Sequence, residues 1–244
     1  GNATVGGVAN WSGETAGQGE VFDEILAMQT AWRSVDPYPG PYRHHDPAGR
    51  RVFDHEILAV LLQELLARYG VKVLLQTRFV DVQREGDVLG AAILAGASGL
   101  EALRASTYVD ASGGAVLAHA AACEMLPPGD LGPLPASLMF FVREMSEAVE
   151  PQLPEGWFEP VTRREDVPMI SEWPNGPGGK ALKLKVTGYD SGDTEGFSAL
   201  EARARRRQWE VLDFYQRQQG RPWRLDHASP IVGLRETRRI AGEY

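Results

Sequence analysis

The residues best suited to hold a ligand lie at 108–115, where the sequence reads Tyr-Val-Asp-Ala-Ser-Gly-Gly-Ala. An apolar segment ends at Asp110, small residues follow, and an alanine-rich run that predicts a helix begins at Val116. A strand–turn–helix junction without bulky side chains lets a ligand approach bare backbone amides near the positive end of a helix. The pattern favours contact with a phosphate or another electron-rich group. The alternative is a tight turn that serves packing alone.

Other reactive side chains do not form a recognisable centre. His44, His45 and His55 invite a metal site, but the adjacent pair cannot easily turn both rings toward one ion, so we expect no metal. His45 remains a candidate proton donor or acceptor because imidazole titrates near neutrality. Cys123 is expected to be a buried small residue rather than a nucleophile. The basic run 203–207 predicts a solvated, salt-bridged helix face, with nucleic-acid binding as the alternative.

Composition narrows the class of protein. The 244 residues are 43% hydrophobic and 24% charged, as in ordinary globular proteins, and the net charge of -8 argues against a nucleic-acid partner. One cysteine excludes an intramolecular disulfide and a CxxC dithiol within this chain. No apolar run approaches the ~20 residues that span a bilayer, so we expect no membrane partner. The chain begins without Met at what reads as a cut end, so the sequence does not show whether a targeting signal precedes it; a cytoplasmic location is the favoured expectation. Nothing in the sequence indicates an oligomeric state.

Periodicity and turn residues predict the elements of the first half. Residues 1–19 are a glycine-rich loop, and a second loop covers 36–51. Two amphipathic helices are predicted at 21–35 and 55–69, the second capped by Asp54. Extended segments separated by turn residues predict strands, which then feed the 108–115 turn. They lie at 71–77, 79–83, 88–94, 100–105 and 107–111.

The second half is richer in strands. Pro and Gly residues between 127 and 135 mark a break, and strands are predicted at 137–143 and 180–187, with an irregular Pro- and Trp-rich region between them. Ser198-x-x-Glu201 reads as a capping box that opens a helix reaching Gln219. A final strand is predicted at 231–234.

The order of elements predicts a mixed α/β fold. The order suits a nucleotide-binding, Rossmann-like domain with an inserted β-meander and a separate β-rich domain. We assign residues 1–135, together with 226–244, to the nucleotide-binding domain, and 136–225 to the β-rich domain; the family resemblance described next implies that the first is a partial FAD-binding domain and the second a substrate domain.

Four segments resemble one family of flavoproteins. They are 1–7, 71–82, 107–123 and 234–242, and the last reads Leu-Arg-Glu-Thr-Arg-Arg-Ile-Ala-Gly. On these segments the chain resembles the bacterial FAD-dependent oxidoreductases of the glutathione-reductase-like superfamily, which have two dinucleotide-binding folds. Members of that family are about twice as long. They begin with a GxGxxG turn and continue past the point where this chain stops, so the resemblance implies a truncated internal fragment. We expect such a fragment to be inactive alone and to bind FAD poorly.

The resemblance implies FAD as the cofactor and assigns residues to it. Asn2, Ala3 and Thr4 match a loop along the ribityl chain and flavin, and Phe79 and Val80 match backbone beside the adenine. Ala111, Ser112 and Gly113 match a second FAD contact, whereas Gly114 stands where the family often has an acid. An arginine cluster is implied near the flavin or the domain junction: Arg235, Arg238 and Arg239.

The function implied is an FAD-dependent oxidoreductase that transfers a hydride between a small-molecule substrate and flavin. Candidates for a catalytic role are Arg235, Arg238 and His45. The alternative is a non-catalytic nucleotide-binding or assembly domain of similar fold. A third hypothesis, a carbohydrate-binding protein, depends on Trp157 and Trp173 in the Pro- and Trp-rich region.

Overall fold

The computed structural model describes residues 10–11, 19–37, 51–127, 134–147, 149–158, 161–167, 170–175, 177–189, 193–218, 222–235 and 237–242. The chain divides into two compact units. The first comprises Gly1–Val71 with Ala136–Gly233, and the second comprises Lys72–Pro135 with Leu234–Tyr244. Helices and sheets occur together, which confirms the mixed α/β class. The functional domains 1–135 with 226–244 and 136–225 stay a prediction.

Two helices of the first unit pack on each other. Helix α1 is Glu20–Ala31 and helix α2 is His55–Arg68. As predicted, Asp54 caps α2, where its Oδ1 accepts hydrogen bonds from the amides of Glu56 (2.9 Å) and Ile57 (3.1 Å). Helix α1 ends four residues before the predicted position 35 because Arg33 takes a left-handed φ of 53°. The small core between the helices contains Ile25, Leu26, Val35, Phe53, Leu58 and Leu62.

Three short strands accompany these helices. Strands β1 (Asn10–Trp11), β2 (Val35–Pro37) and β3 (Arg51–Phe53) form an antiparallel sheet in the order β1-β3-β2. The predicted loop 36–51 therefore begins and ends in strands that pair with each other. Short strands of two or three residues carry too little periodicity to be recognised from sequence.

A larger antiparallel sheet forms the centre of the first unit. Its order is β10-β7-β9-β8, and the strands are β7 (Ala136–Glu144), β8 (Ile170–Pro174), β9 (Gly179–Val186) and β10 (Trp223–Ala228). The predictions at 137–143 and 180–187 are confirmed, whereas β8 and β10 were missed among Pro- and Trp-rich sequence. The prediction of a strand at 231–234 is wrong. Among the described residues, this segment pairs only through a single bridge between Gly233 and Ser137.

The long helix α4 (Thr194–Gln218) packs on this sheet and contacts β7, β9 and β10. It begins four residues before the predicted Ser198, because Asp193 accepts a 2.7 Å hydrogen bond from the amide of Gly196. The predicted capping box is wrong. Ser198 Oγ donates back to the carbonyl of Thr194, and Glu201 accepts from the amide of Val232. None of the helices in the described part is both long and apolar enough to cross a membrane.

The second unit is built on the predicted meander. Strands β4 (Arg78–Glu85), β5 (Val88–Gly96) and β6 (Gly99–Leu103) pair in sequence order, and helix α3 (Val116–Ala120) contacts β4. Cys123 is exposed and follows α3, so its predicted burial within a helix is wrong. The reason is that α3 ends at Ala120 and Ala122 takes a left-handed φ of 58°.

Two strands predicted in this unit are absent. Residues 71–77 and 107–111 form no ladder with any described neighbour, although both stretches are apolar. Val109 is 82% exposed and Val73 is 42% exposed. A strand needs a partner for its amides and carbonyls, and the described part of the chain supplies none here. Both stretches have the apolar composition of a strand, but they do not make the backbone pairing that a strand requires with any described residue.

Candidate functional site

Asp110 organises the 108–115 turn. Its Oδ1 accepts a hydrogen bond from the amide of Ser112, and its Oδ2 accepts from the amides of Leu117 and Ala118, all at 3.0 Å. The carboxylate thus reaches forward across the turn to the first residues of α3. It satisfies amides that would otherwise lack partners at the start of a helix. Negative charge at this end of a helix is also favourable.

These contacts keep the Asp110 carboxyl ionised. Burial raises its pKa, but hydrogen bonds from the Ser112 hydroxyl and from the amides of Ala118, Ser112 and Leu117 outweigh it, so the pKa is lowered overall. Asp110 is therefore a fixed acceptor at neutral pH and not a proton donor.

The remaining amides of the turn divide into two groups. Ser112 Oγ lies 3.3 Å from the amides of both Gly114 and Val116, so the hydroxyl stabilises the turn from within. The amides of Gly113 and Ala115 have no hydrogen-bond partner among the described residues. Both residues have left-handed backbone, with φ of 77° and 50°. The turn thus leaves two backbone donors free for a ligand.

Gly114 fits a close contact with the 234–242 segment. A Cβ at this position would lie 2.8 Å from Thr237 Oγ1, which is closer than real Cβ atoms approach other atoms. The Thr237 hydroxyl is buried and has no hydrogen-bond partner in the described part of the chain. Thr237 therefore packs where a side chain at position 114 would lie, and only glycine fits at this position without a shift of Thr237.

Replacing Gly114 with alanine should lower the free energy of unfolding by about 1–3 kcal/mol, because the new Cβ overpacks the contact. Thr237→Ala alone removes a buried hydroxyl that bonds to nothing, and we expect a change below about 1 kcal/mol. In the double variant the clash disappears, so most of the loss should be recovered. Amide hydrogen exchange at Leu117 measures all three. Additive effects of the two substitutions would contradict this coupling.

The 234–242 segment returns to the turn through a short antiparallel pairing. Met125 and Ile240 form a β-bridge, flanked by hydrogen bonds from the Leu126 amide to the Arg239 carbonyl (2.8 Å) and from the Ala241 amide to the Glu124 carbonyl (2.9 Å). Arg239 also donates to the carbonyl of Pro127. The segment that follows α3 thereby fixes the arginines beside the turn.

Together the turn and the returning segment line an open cavity of about 590 Å³ in the second unit. Its lining residues come from both: Asp110, Gly113, Ala115, Leu126, Arg238, Arg239, Ile240, Ala241 and Gly242. The two turn residues with free amides are thus both at the cavity. Arg238 has no ion-pair partner among the described residues. The cavity offers two backbone donors and a guanidinium, which suits an anionic or electron-rich ligand.

A family model for FAD-dependent oxidoreductases matches residues 1–244, the whole of the chain. The chain belongs to this family. FAD is therefore the cofactor to test against the cavity, and the resemblance inferred from the four segments is confirmed at the level of the family. No curated protein matches the sequence of this family member.

Solved flavoenzymes resemble this chain weakly. A complex of aklavinone-11 hydroxylase with FAD and aklavinone is 19% identical, with a TM-score of 0.44, over 85% of this chain. A flavin-dependent brominase is 13% identical (TM-score 0.47, 94% of this chain), and glycine oxidase from Bacillus cereus is 13% identical (0.34, 89%). The chain spans 35%, 61% and 58% of the lengths of these three proteins, respectively. The assignment depends on the family match.

The structure brings together only some of the residues that the resemblance assigned to FAD. Gly113 lines the cavity with Arg238 and Arg239, whereas Arg235 is exposed and does not line it. Of the other assigned residues, Ser112 stabilises the turn, Ala111 is exposed, and Phe79 and Val80 lie on β4. Asn2, Ala3, Thr4 and His45 lie outside the described residues.

Two features of the site were missed from sequence. The sequence pattern marks Asp110 only as the end of a strand, and it does not indicate that Ala115 could contact a ligand. The spacing of Asp110 from Leu117, seven residues, matches no local capping pattern. An alanine with left-handed backbone also carries no signal in the sequence, since glycine or asparagine usually fills such positions.

Proposed function

We propose that this chain is part of an FAD-dependent oxidoreductase in which a hydride passes between a small-molecule substrate and the flavin. The family match supports the reaction class. The observation that supports the proposal best is the cavity beside the turn. It is lined by Gly113 and Ala115, whose amides have no partner among the described residues, and by Arg238 of the returning segment.

The residues present fit a contact with FAD. At Gly113 a Cβ would meet no atom within 4 Å, so the space beside this backbone is open to a ligand. We propose that the amides of Gly113 and Ala115 donate to oxygen atoms of the cofactor. The turn formed by Ala111, Ser112 and Gly113 is then a second contact, as the resemblance implied. The roles of Asn2, Ala3, Thr4, Phe79 and Val80 toward FAD remain predictions.

FAD, when bound, supplies the redox chemistry of such an enzyme. The chain contributes position and charge. Arg238 provides a permanent positive charge at the cavity, which orients an anionic group and favours negative charge that develops nearby. Asp110 is occupied by the turn and keeps no proton at neutral pH, so it holds the amides in place rather than acting as an acid.

The role of Arg238 can be tested in the longer, FAD-loaded protein. We expect Arg238→Gln to slow anaerobic reduction of the flavin by its donor about tenfold or more, since a fixed charge beside the reacting group is lost. Arg235→Gln is the matched control: it removes the same charge from an exposed residue of the same segment that does not line the cavity. The rate of flavin reduction in Arg235→Gln should stay within about twofold of the wild-type rate. For comparison, a tenfold change in rate corresponds to 1.36 kcal/mol.

Two outcomes would overturn parts of this proposal. Equal rates for the Arg238 and Arg235 variants would remove Arg238 from the site. A protein that holds FAD but is reduced by no candidate donor would support the non-catalytic alternative, in which the cofactor only stabilises an assembly.

A further inference from the structure

A second large cavity lies in the first unit, along one face of α4. Its volume is about 1210 Å³. Residues of α4 at helical spacing line one wall: Arg206, Glu210, Asp213 and Arg217. At 1.5 Å per residue they span about 16 Å along the helix, and we call this cavity the groove. The facing wall is the 153–158 loop, which carries Trp157 and Phe158.

The acidic residues of the helix wall are neutralised. Arg207 pairs with Glu210 at 2.6 Å, and Arg217 Nε lies 2.8 and 2.9 Å from the two carboxylate oxygens of Asp213. The Glu210 and Asp213 side chains are buried, whereas their arginine partners are about half exposed, so each carboxylate is balanced by an arginine at the groove. They leave little net charge to attract or repel a ligand.

Arg206 is different from its neighbours in the basic run. Its guanidinium carbon lies 4.8 Å from the centre of the Phe158 ring, and no described carboxylate lies within ion-pair distance. By contrast, Arg203 donates to two backbone carbonyls, and Arg205 pairs with Glu201. A guanidinium stacked on a ring keeps its in-plane N–H groups available to bind a carboxylate with two hydrogen bonds.

The aromatic wall is held in place by its anchors. The backbone amide of Gln152 donates to the side-chain Oε1 of Gln216 (3.0 Å). The side-chain Oε1 of Gln152 accepts from the backbone amide of Leu225 (3.2 Å). These two bonds tie the loop to α4 and β10. Leu153 is buried at the start of the loop. Trp157, however, is 71% exposed. The start of the loop is thus anchored beside the groove, and the exposed Trp157 ring is accessible for stacking on a ligand.

We propose that this groove binds a small aromatic carboxylate, whose ring stacks on Trp157 and whose carboxylate is held by Arg206. Glu155 lies on the same loop and lines the groove, so a ligand with several negative charges would be repelled. The groove is formed by residues of the first unit, whereas the 108–115 turn belongs to the second unit.

The test is a calorimetric titration of the 244-residue chain with 2-naphthoate and with its neutral analogue 2-naphthamide. We expect saturable binding of the naphthoate and at least tenfold weaker binding of the amide. Arg206→Gln should weaken naphthoate binding about tenfold or more, because a bidentate charged contact is lost. Trp157→Ala should weaken both ligands, since both use the ring.

Two arginine variants locate the site. Arg224→Gln removes the same charge from an exposed residue of β10 that does not line the groove, and Arg238→Gln removes it from the cavity of the second unit. Both should leave naphthoate affinity within about twofold, far less than the tenfold step that corresponds to 1.4 kcal/mol. The proposal is overturned if the naphthoate does not saturate, if Arg206→Gln and Arg224→Gln act alike, or if Arg238→Gln abolishes binding.

Discussion

Replacing Asp110 with alanine should lower the free energy of unfolding of the second unit by about 2–4 kcal/mol. The substitution removes the acceptor for the amides of Ser112, Leu117 and Ala118 at once. Hydrogen bonds to a charged group are the stronger kind, and three donors lose their partner together. Amide hydrogen exchange at Leu117 and Ala118 should accelerate accordingly.

The chain provides its own control for this experiment. All six tryptophans lie between positions 11 and 223, within the segments of the first unit. Tryptophan fluorescence therefore follows the first unit, and its unfolding midpoint should not change in Asp110→Ala. Unchanged exchange at Leu117 and Ala118 would contradict the structural role of Asp110.

The same carboxyl predicts a pH dependence. Because its pKa is lowered in the folded chain, its contribution to stability is present above the ordinary carboxyl pKa and is lost as the pH falls through the lowered value. Exchange at Leu117 in wild type should therefore rise in acid more steeply than in Asp110→Asn, which has no charge to lose. Parallel profiles for the two proteins would be inconsistent with a lowered pKa.

Gly113→Val should reduce the FAD content of the natural protein that carries this chain by about tenfold or more, because a branched side chain would occupy the open space where the cofactor oxygen is proposed to lie. The side chain also has to accept a φ of 77°, which costs about 1–2 kcal/mol of stability. The measurement is the amount of FAD released from each purified variant after denaturation.

Gly99→Val separates these two effects. Gly99 lies in the β5–β6 turn of the same unit, has a φ of 96°, and has no atom within 4 Å of a built Cβ, but it does not line the cavity. The backbone cost should be similar in the two variants. FAD content should fall only in Gly113→Val. Equal loss of FAD in both variants would mean that destabilisation, and not the site, explains the result.

Local signals in the sequence predicted the elements that depend on local contacts. Asp54 before an apolar stripe identified α2, and the turns at Gly86 and Gly99 identified the meander. Predictions failed where the decisive contact is remote. The stretches 71–77 and 107–111 look like strands, but a strand exists only when a neighbour pairs with it. Glu201, expected in a capping box, instead accepts from the amide of Val232, thirty-one residues away.

The candidate site shows the same division. The small residues at 111–115 predicted exposed backbone. The arginines of the 234–242 segment were predicted to lie near the flavin or the domain junction. The sequence also suggested that the start of α3 would offer its amides to a phosphate. In the structure Asp110 takes the amides of Leu117 and Ala118, so the donors left over are those of Gly113 and Ala115. Which amides remain free therefore depends on the hydrogen bonds that Asp110 makes to residues seven and eight positions later. No rule of sequence spacing predicts these bonds.

Measuring the flavin content of the purified protein tests whether this chain forms part of an FAD site. The natural protein that carries these 244 residues should be purified without added cofactor and denatured, and the FAD released per polypeptide should be measured. We expect a yellow protein with close to one FAD per chain. A colourless protein that takes up no FAD when the cofactor is supplied would contradict it.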